Sequence, residues 1–339
     1  MEAQDYSYSM NPPRKQRGAV LVMVLLIVAL VTALAVNFSS AFQLSLARGE
    51  VRWHGAQASA YLLGAEELAI KFLQDDRANN EFDHLGEDWA QETSPFPVEG
   101  GWLLGRIVDG QGLFNLNALA GNTEEGRSGA ARFSPMQRRF IRVLQTFEEV
   151  PVSENEALAL MEALIDWLDA DDEPTGFGGA ESGFYSGLEL AYHPANQWFS
   201  SVSELRLVRH MTPALYRVLA PLVVVLPEAT DININTANLA VFQSLNVSSS
   251  LSPLSPGDAQ QLLDARGSEG YENIQDFVDS PSLVGLTTEG TQVETGNLGV
   301  NSEYFLIYSQ AQLARQRRAS MSLVYRTEND TQIIRREDG

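Results

Sequence analysis

None of the 339 residues is cysteine, which excludes disulfides, thiolate metal sites and thiol catalysis. Basic residues are scarce. Only 23 Lys and Arg stand against 44 Asp and Glu, a formal net charge of −21. Such a chain lacks the basic face that a sequence-independent nucleic-acid binder needs to displace phosphate counterions. The four histidines, His54, His84, His193 and His210, are scattered, and none pairs with another at helical spacing. Neither a Gly-x-Ser-x-Gly elbow nor a P-loop occurs. The chain is therefore not expected to be an enzyme. What it does have is an ordinary 44% hydrophobic content, enough for a packed core.

One long apolar run decides the compartment. Residues 19–36 read AVLVMVLLIVALVTALAV, and no charge occurs between Arg17 and Arg48. At about 1.5 Å per helical residue, such a run spans a bilayer core of roughly 30 Å. The cluster Arg14-Lys15-Gln16-Arg17 before it predicts a cytoplasmic N-terminus with the bulk of the chain exported. Apolar residues continue at helical spacing through Phe38, Phe42, Leu46, Leu62, Leu68 and Phe72. One helix is therefore predicted over 19–73, with its transmembrane half at 19–41.

A basic leader ending in Gly18 and leading straight into an apolar helix resembles a type IV prepilin signal. The resemblance implies cleavage by prepilin peptidase between Gly18 and Ala19, with methylation of the new Ala19 terminus. Most pilins and pseudopilins carry a glutamate five residues after the cut, which pairs with the terminal amine of a neighbouring subunit. Here that position is Met23. A buried charge without its partner is costly. A subunit lacking the carboxylate fits best at the end of a filament, where no further amine must be received. This lack is a trait of the K-type minor pseudopilins of type II secretion.

Beyond the helix, residues 77–99 read as a polar, proline-punctuated loop. GWLLGRIVDGQGLFNLN predicts a hairpin about Asp109-Gly110, with strands near 101–108 and 112–117. Three apolar patterns of helical period follow: PMQRRFIRVLQTF, SENEALALMEALIDWLDA and TPALYRVLAPLVVVL. Ser153 or Asn155 is placed to cap the second, and Thr212 with Pro213 to open the third. Strand composition returns at 303–313 and 318–326, with a turn at Arg315-Gln316-Arg317.

The charge is unevenly spread. Between Arg142 and Arg206 there are thirteen Asp and Glu and no Lys or Arg. Four of the acids are packed into Asp169-Ala170-Asp171-Asp172-Glu173, and glycines follow at 176, 178, 179, 183 and 187. Crowded carboxylates repel unless a cation neutralises them, and calcium takes six to eight oxygens from flexible loops. A solvated acidic loop is the plainer alternative. LIDWLDADDEPTGFGGAESGFY is similar to the calcium-binding segment of the K-type pseudopilins, in which Asp-x-Asp-x-Glu-Pro precedes Gly-Ala-Glu. Asp169, Asp171, Asp172, Glu173, Glu181 and Asn196 are the candidate calcium ligands. Asp166, three residues before Asp169 on a helix end, could form a carboxylate pair with it, and calcium would use that pair better than catalysis would.

Residues 200–227 resemble a small helix–hairpin–helix unit, and Asp231-Ile232-Asn233-Ile234-Asn235-Thr236-Ala237 resembles the opening of a DNA-binding version of that motif. The hairpin glycines that approach phosphate are missing from Ser248–Gly257, so no nucleic-acid partner is expected. Asn235 and Thr236 are read as helix caps.

Taken in order, these features resemble one family along nearly the whole chain, the K-type minor pseudopilins. The fold expected is α+β: a long N-terminal transmembrane helix, a pilin-like antiparallel sheet and a large inserted α-helical domain. The expected organisation is a leader at 1–18, the helix at 19–73 and a first part of the pilin body at 74–120. An inserted helical domain at 121–300 would carry the acidic loop 166–189, and final strands and a tail would fill 301–339. The resemblance implies a single-pass inner-membrane protein capping the pseudopilus tip and helping to start its assembly. Its partners would be the H-, I- and J-type minor pseudopilins and prepilin peptidase, with the secretin or secreted cargo as further contacts. The alternative is a membrane-anchored, calcium-dependent periplasmic adaptor outside any pilus.

Overall fold

The computed structural model describes residues 17–91, 93–124, 126–287, 292–328 and 330–338. The leader up to residue 16 lies outside the described residues. The chain divides into two units, 1–57 and 58–339. In the first, the described residues form the beginning of helix α1 (Arg17–Asn79), whose most apolar stretch has a mean hydropathy of 3.2 and no buried residue. The same helix continues six residues past the end expected at 73, stopping at Asn79, and its later part belongs to the second unit.

In that second unit α1 lies on a five-stranded antiparallel sheet. The strands are β1 (Phe96–Val98) and β2 (Gly101–Asp109), then β3 (Phe114–Asn115), β4 (Val223–Val224), β5 (Ile232–Asn233) and β6 (Leu298–Gly299), and finally β7 (Tyr304–Leu313), β8 (Gln316–Arg326) and β9 (Thr331–Asp338). The large sheet has the order β1-β2-β7-β8-β9, while β3–β4 and β5–β6 form two short parallel pairs. Successive side chains in a strand point to opposite faces. Phe305, Ile307, Ala311 and Leu313 of β7 accordingly face α1 and pack on Ala58, Leu62, Ala69 and Leu73. On the other face Tyr304, Leu306 and Leu323 pack on Val224 and Leu226 from the helical insertion. Gly101 has no substitute, because a Cβ there would strike the Gln312 carbonyl of β7.

The expected hairpin about Asp109-Gly110 does not form. β2 instead pairs with β1 and β7, and Asp109 caps a 3₁₀ turn by accepting a hydrogen bond from Gln111 N at 2.7 Å. Phe114 and Asn115 then pair with Val223 and Val224. The third helical pattern is correspondingly shorter than read. It ends as a helix at Leu219, and its last valines become β4. The turn between β7 and β8 is at Ala314 and Arg315 rather than at Arg315–Arg317, with Ala314 at φ +49°. The C-terminal tail becomes β9.

The insertion holds α2 (Pro135–Leu144), α3 (Glu154–Leu168), α4 (Ser182–Tyr185), α5 (Pro213–Leu219), α6 (Leu239–Gln243), α7 (Pro256–Arg266), α8 (Ile274–Val278) and α9 (Pro281–Val284). One core joins them, built on Phe114, Phe140, Leu164, Trp167, Phe242 and Phe277. Residues 202–207 form a 3₁₀ helix, not the first α-helix of a hairpin unit. Ser153 caps α3 and Thr212 caps α5. Asn235 and Thr236 cap no helix. That role falls to Asn238, at the start of α6.

Ser134 caps α2 in a reciprocal arrangement. Its hydroxyl accepts from Gln137 N at 3.3 Å, while the Gln137 side chain accepts from Ser134 N at 3.0 Å and donates to Leu119 O at 2.9 Å. The first-turn amides have no partner within the helix, so the cap stabilises it. Ser134→Ala is expected to cost about 1 kcal/mol, and Ser134→Thr much less. Urea denaturation of the two variants measures the difference.

A buried polar junction ties the sheet to the insertion. Asp109 accepts from Asn233 Nδ2 at 3.0 Å, Ser302 Oγ at 2.7 Å and Thr236 Oγ1 at 2.5 Å. Beside it, Arg326 bridges Asp76 at the end of α1 and Asp83 in the loop that follows. Burial, with Asp83 nearby, raises the Asp109 carboxyl to about 6.

Candidate metal centre

The candidate ligands lie where α3 ends. Asp169 is the C-cap of α3 and takes an extended backbone conformation, φ −81° and ψ 172°. A helix C-terminus carries partial negative charge and favours cations, so Asp166 and Asp169 are placed against the field. Five residues on, Pro174 cannot donate a backbone hydrogen bond, and the chain returns through the glycines. Gly176 has φ +60°, and a Cβ at Gly178 would collide with the backbone of Ala159 in α3. The return is held by backbone amides. Thr175 N donates to Asp166 Oδ1 at 2.9 Å, Gly178 N to Glu162 Oε2 at 2.7 Å and Ser182 N to Asp172 Oδ1 at 3.1 Å.

This fold brings Asp169, Asp171 and Glu181 together, each offering a carboxylate oxygen within 4.8 Å of the other two. Asn196 joins them from a distant loop. Its Nδ2 donates to the Asp171 carbonyl at 2.7 Å, and its backbone is left-handed at φ +44°. Asp172 and Glu173 stand outside the cluster. Asp172 receives the Ser182 amide, and the Glu173 amide turns back to Asp171 Oδ1 at 2.9 Å, leaving the Glu173 side chain exposed. Asp166, expected as a carboxylate partner of Asp169 but not among the six candidate ligands, is fully buried beside the cluster. Its position three residues before Asp169 on one helix is the signal that marks it. Gly18 and Ala19 lie in the exposed first turns of α1.

Five oxygens in and beside this cluster lack donors. Asp166 Oδ2, Asp169 Oδ1, both Glu181 carboxylate oxygens and Asn196 Oδ1 are all buried and receive no hydrogen bond. Buried polar atoms are nearly always paired, and an unpaired carboxylate costs still more than a neutral group. Burial and the neighbouring Asp166, Asp169, Asp172 and Asp171 push the Glu181 carboxyl up to about 8. Burial, followed by Asp171 and Asp166, raises Asp169 to about 6. Five orphaned oxygen atoms with hard donor chemistry fit a divalent cation of the calcium type.

Comparison with known proteins places the chain. Family models described as type II secretion system protein K match residues 112–228 and 232–301. The type II secretion system protein K of Pseudomonas aeruginosa is 35% identical over 92% of this chain and 90% of its own length. The chain belongs to the type II secretion system protein K family. The Aeromonas hydrophila protein K is 34% identical over 96% of this chain and 98% of its own. Among solved structures, a chain of the GspK-GspI-GspJ complex from enterotoxigenic Escherichia coli superposes with a TM-score of 0.71 and 26% identity. It covers 86% of this chain, and 99% of that chain is matched. As a protein K, this chain is a minor pseudopilin, a structural component of type II secretion. The first matched segment contains the acidic cluster, and the second contains the Asn233–Thr236 junction. Its apolar N-terminal helix is long enough to anchor it in a membrane.

Proposed function

We propose that this protein K caps the tip of the pseudopilus and helps to initiate its assembly with the H-, I- and J-type minor pseudopilins, serving the export of folded periplasmic proteins. The observation that carries the reading is the uncharged span from Gly18 to Ala47 with Met23 where other subunits hold a carboxylate. Such a span offers nothing to neutralise the terminal amine of a further subunit, and an amine left unpaired in the bilayer is costly. The bulk of the helical insertion supports the same reading, because a domain of that size is accommodated more easily at an end than within a shaft. The likeness to a chain of the GspK-GspI-GspJ complex supports the I- and J-type subunits as partners.

Prepilin peptidase would cut after Gly18 and methylate Ala19, with the leader cytoplasmic and the bulk of the chain periplasmic. Mass spectrometry of the purified protein is expected to show a methylated Ala19 terminus. An intact Met1, or cleavage beyond residue 36, would remove the pilin reading and leave a membrane-anchored adaptor. The assembly itself is tested by co-expressing the soluble part, residue 48 onward, with the I- and J-type subunits. An equimolar complex on size-exclusion chromatography is expected, and separate elution contradicts the proposal.

Calcium is assigned to the cluster at the end of α3, held by Asp169, Asp171, Glu181 and Asn196, with Asp166 beside them. When bound, the ion supplies the positive charge that these oxygens lack. Its role is structural. It relieves the carboxylate repulsion and fixes the loop from Asp169 to Asn196 against α3.

A further inference from the structure

The segment 182–195 runs between Glu181 and Asn196, two residues whose orphaned oxygens belong to the metal cluster. It contains the single helical turn α4 and no strand. Its inner side is anchored by Tyr185, by Tyr192, whose hydroxyl donates to Leu207 O at 2.7 Å, and by buried Pro194. Tyr185 is fully buried, packs edge-on against Trp167 at 5.6 Å and lies 5.1 Å from the Tyr192 ring. Its outer side displays Phe184, Leu188 and Leu190, the last 84% exposed, and Trp198 follows just beyond Asn196 at 43%. Around them stand exposed Asp172, Glu173 and Glu189, none of them an assigned calcium ligand. Arg209 is engaged over the Phe184 ring at 4.6 Å and with the Gly179 carbonyl at 2.8 Å.

We infer that this loop is a calcium-gated docking epitope for a polypeptide segment of another protein that carries basic residues around an apolar anchor. The inference rests on the calcium assignment above. Backbone hydrogen bonds fold residues 182–188 into the turn around α4 and tie Tyr192 N to Tyr185 O. Residues 189–191 and 193–195 make no backbone–backbone hydrogen bond, so the stretch that carries Leu190 is ordered through Tyr192 and through Asn196 at the metal cluster. Large apolar side chains in an acidic rim match a partner of opposite charge and similar hydrophobicity. Two other occupants are disfavoured by the same charges. An anionic lipid surface is repelled by them, and a second copy would present the same acidic rim to itself.

The test uses the full chain in nanodiscs and a fluorescent model peptide of Leu and Lys with its apolar residues at helical spacing. A Leu and Glu peptide of the same pattern and anionic vesicles serve as controls. Calcium is expected to tighten binding of the Leu/Lys peptide at least tenfold over chelator. Leu190→Asp, at an exposed position, should weaken the binding tenfold or more while leaving calcium-induced thermal stabilisation intact. Equal peptide binding with and without calcium, or binding unchanged by Leu190→Asp, overturns the epitope while the calcium site stands. Preferential binding of vesicles or of the Leu/Glu peptide, or calcium-dependent self-association, overturns the partner assigned. If calcium produces no thermal stabilisation at all, the metal assignment itself fails, and the gated epitope with it.

Discussion

Chelating calcium is expected to lower the unfolding temperature of the helical insertion by about 5–10 °C. A ligand present at one hundred times its dissociation constant stabilises the folded state by about 2.7 kcal/mol. In a domain of this size each kcal/mol moves the midpoint by roughly 2–4 °C. Glu181→Gln keeps the side-chain shape and removes the charge that calcium needs. The variant should lose most of the calcium-dependent shift. Without metal it should be no less stable than the parent, because it also removes a repelled carboxylate. The pH dependence has a definite sign. The folded-state carboxyl of Glu181, about 8, lies above its ordinary value of 4.5, so the metal-free fold binds its proton more tightly than the unfolded chain. The metal-free contribution to stability therefore falls as pH rises from about 4.5 to 8. Calcium competes with that proton, so its stabilising effect should be largest near pH 8 and fade towards pH 5. Differential scanning fluorimetry across that range measures both effects. A chelator shift that survives Glu181→Gln unchanged would place the ion elsewhere.

Arg326→Met is expected to destabilise the sheet unit by about 3–5 kcal/mol, the cost of leaving a buried charge without its counter-ion. Arg326 is 2% exposed and donates to Asp76 Oδ2 at 2.8 Å, to Ser302 O at 2.9 Å and to Asp83. Its guanidinium also lies over the Phe305 ring at 4.5 Å. Without it, Asp76, Asp83 and Glu87 are left with carboxylate oxygens within 4.8 Å of one another and no guanidinium between them. Even with Arg326 present, burial together with Glu87 and Asp83 raises the Asp76 carboxyl to about 7. Lysine should not rescue the site, since one ammonium cannot serve both carboxylates in a planar fork. Adding Asp83→Asn to Arg326→Met should recover part of the loss, because it removes the more buried of the two orphaned charges. Urea midpoints with an unchanged slope would register these effects as stability. A loss below about 1 kcal/mol would show that the junction is not electrostatically coupled.

The parts of the fold legible in the sequence are those that local chemistry decides. Ser153 and Thr212-Pro213 cap helices because capping depends on the next few residues alone. The apolar run before Arg48 declares itself by length. What was hidden depends on distant partners. Asp109-Gly110 has a hairpin signature, yet Asp109 is drawn into the interior by Asn233, Thr236 and Ser302, residues more than a hundred positions away. The valines after Leu219 continue a helical pattern but become β4, because Phe114 and Asn115 supply a strand for them. β9 reads as a charged tail, since it is an edge strand with mostly exposed side chains and only β8 to pair with. At the metal cluster, the Asp-x-Asp-x-Glu spacing groups Asp169, Asp171 and Glu173 as one set. The turn closed by the Glu173 amide on Asp171 breaks that alternation and sends Glu173 outward, while Glu181 and Asn196 converge from later in the chain.

The absence of cysteine, which removed one kind of chemistry from consideration, makes the decisive measurement clean. A single cysteine introduced at Ser186, an exposed position on the helical insertion, offers one site for a gold label. Electron microscopy of labelled pseudopili is predicted to show gold at one end of each filament and none along the shaft. Gold distributed along the shaft would contradict the tip-capping role.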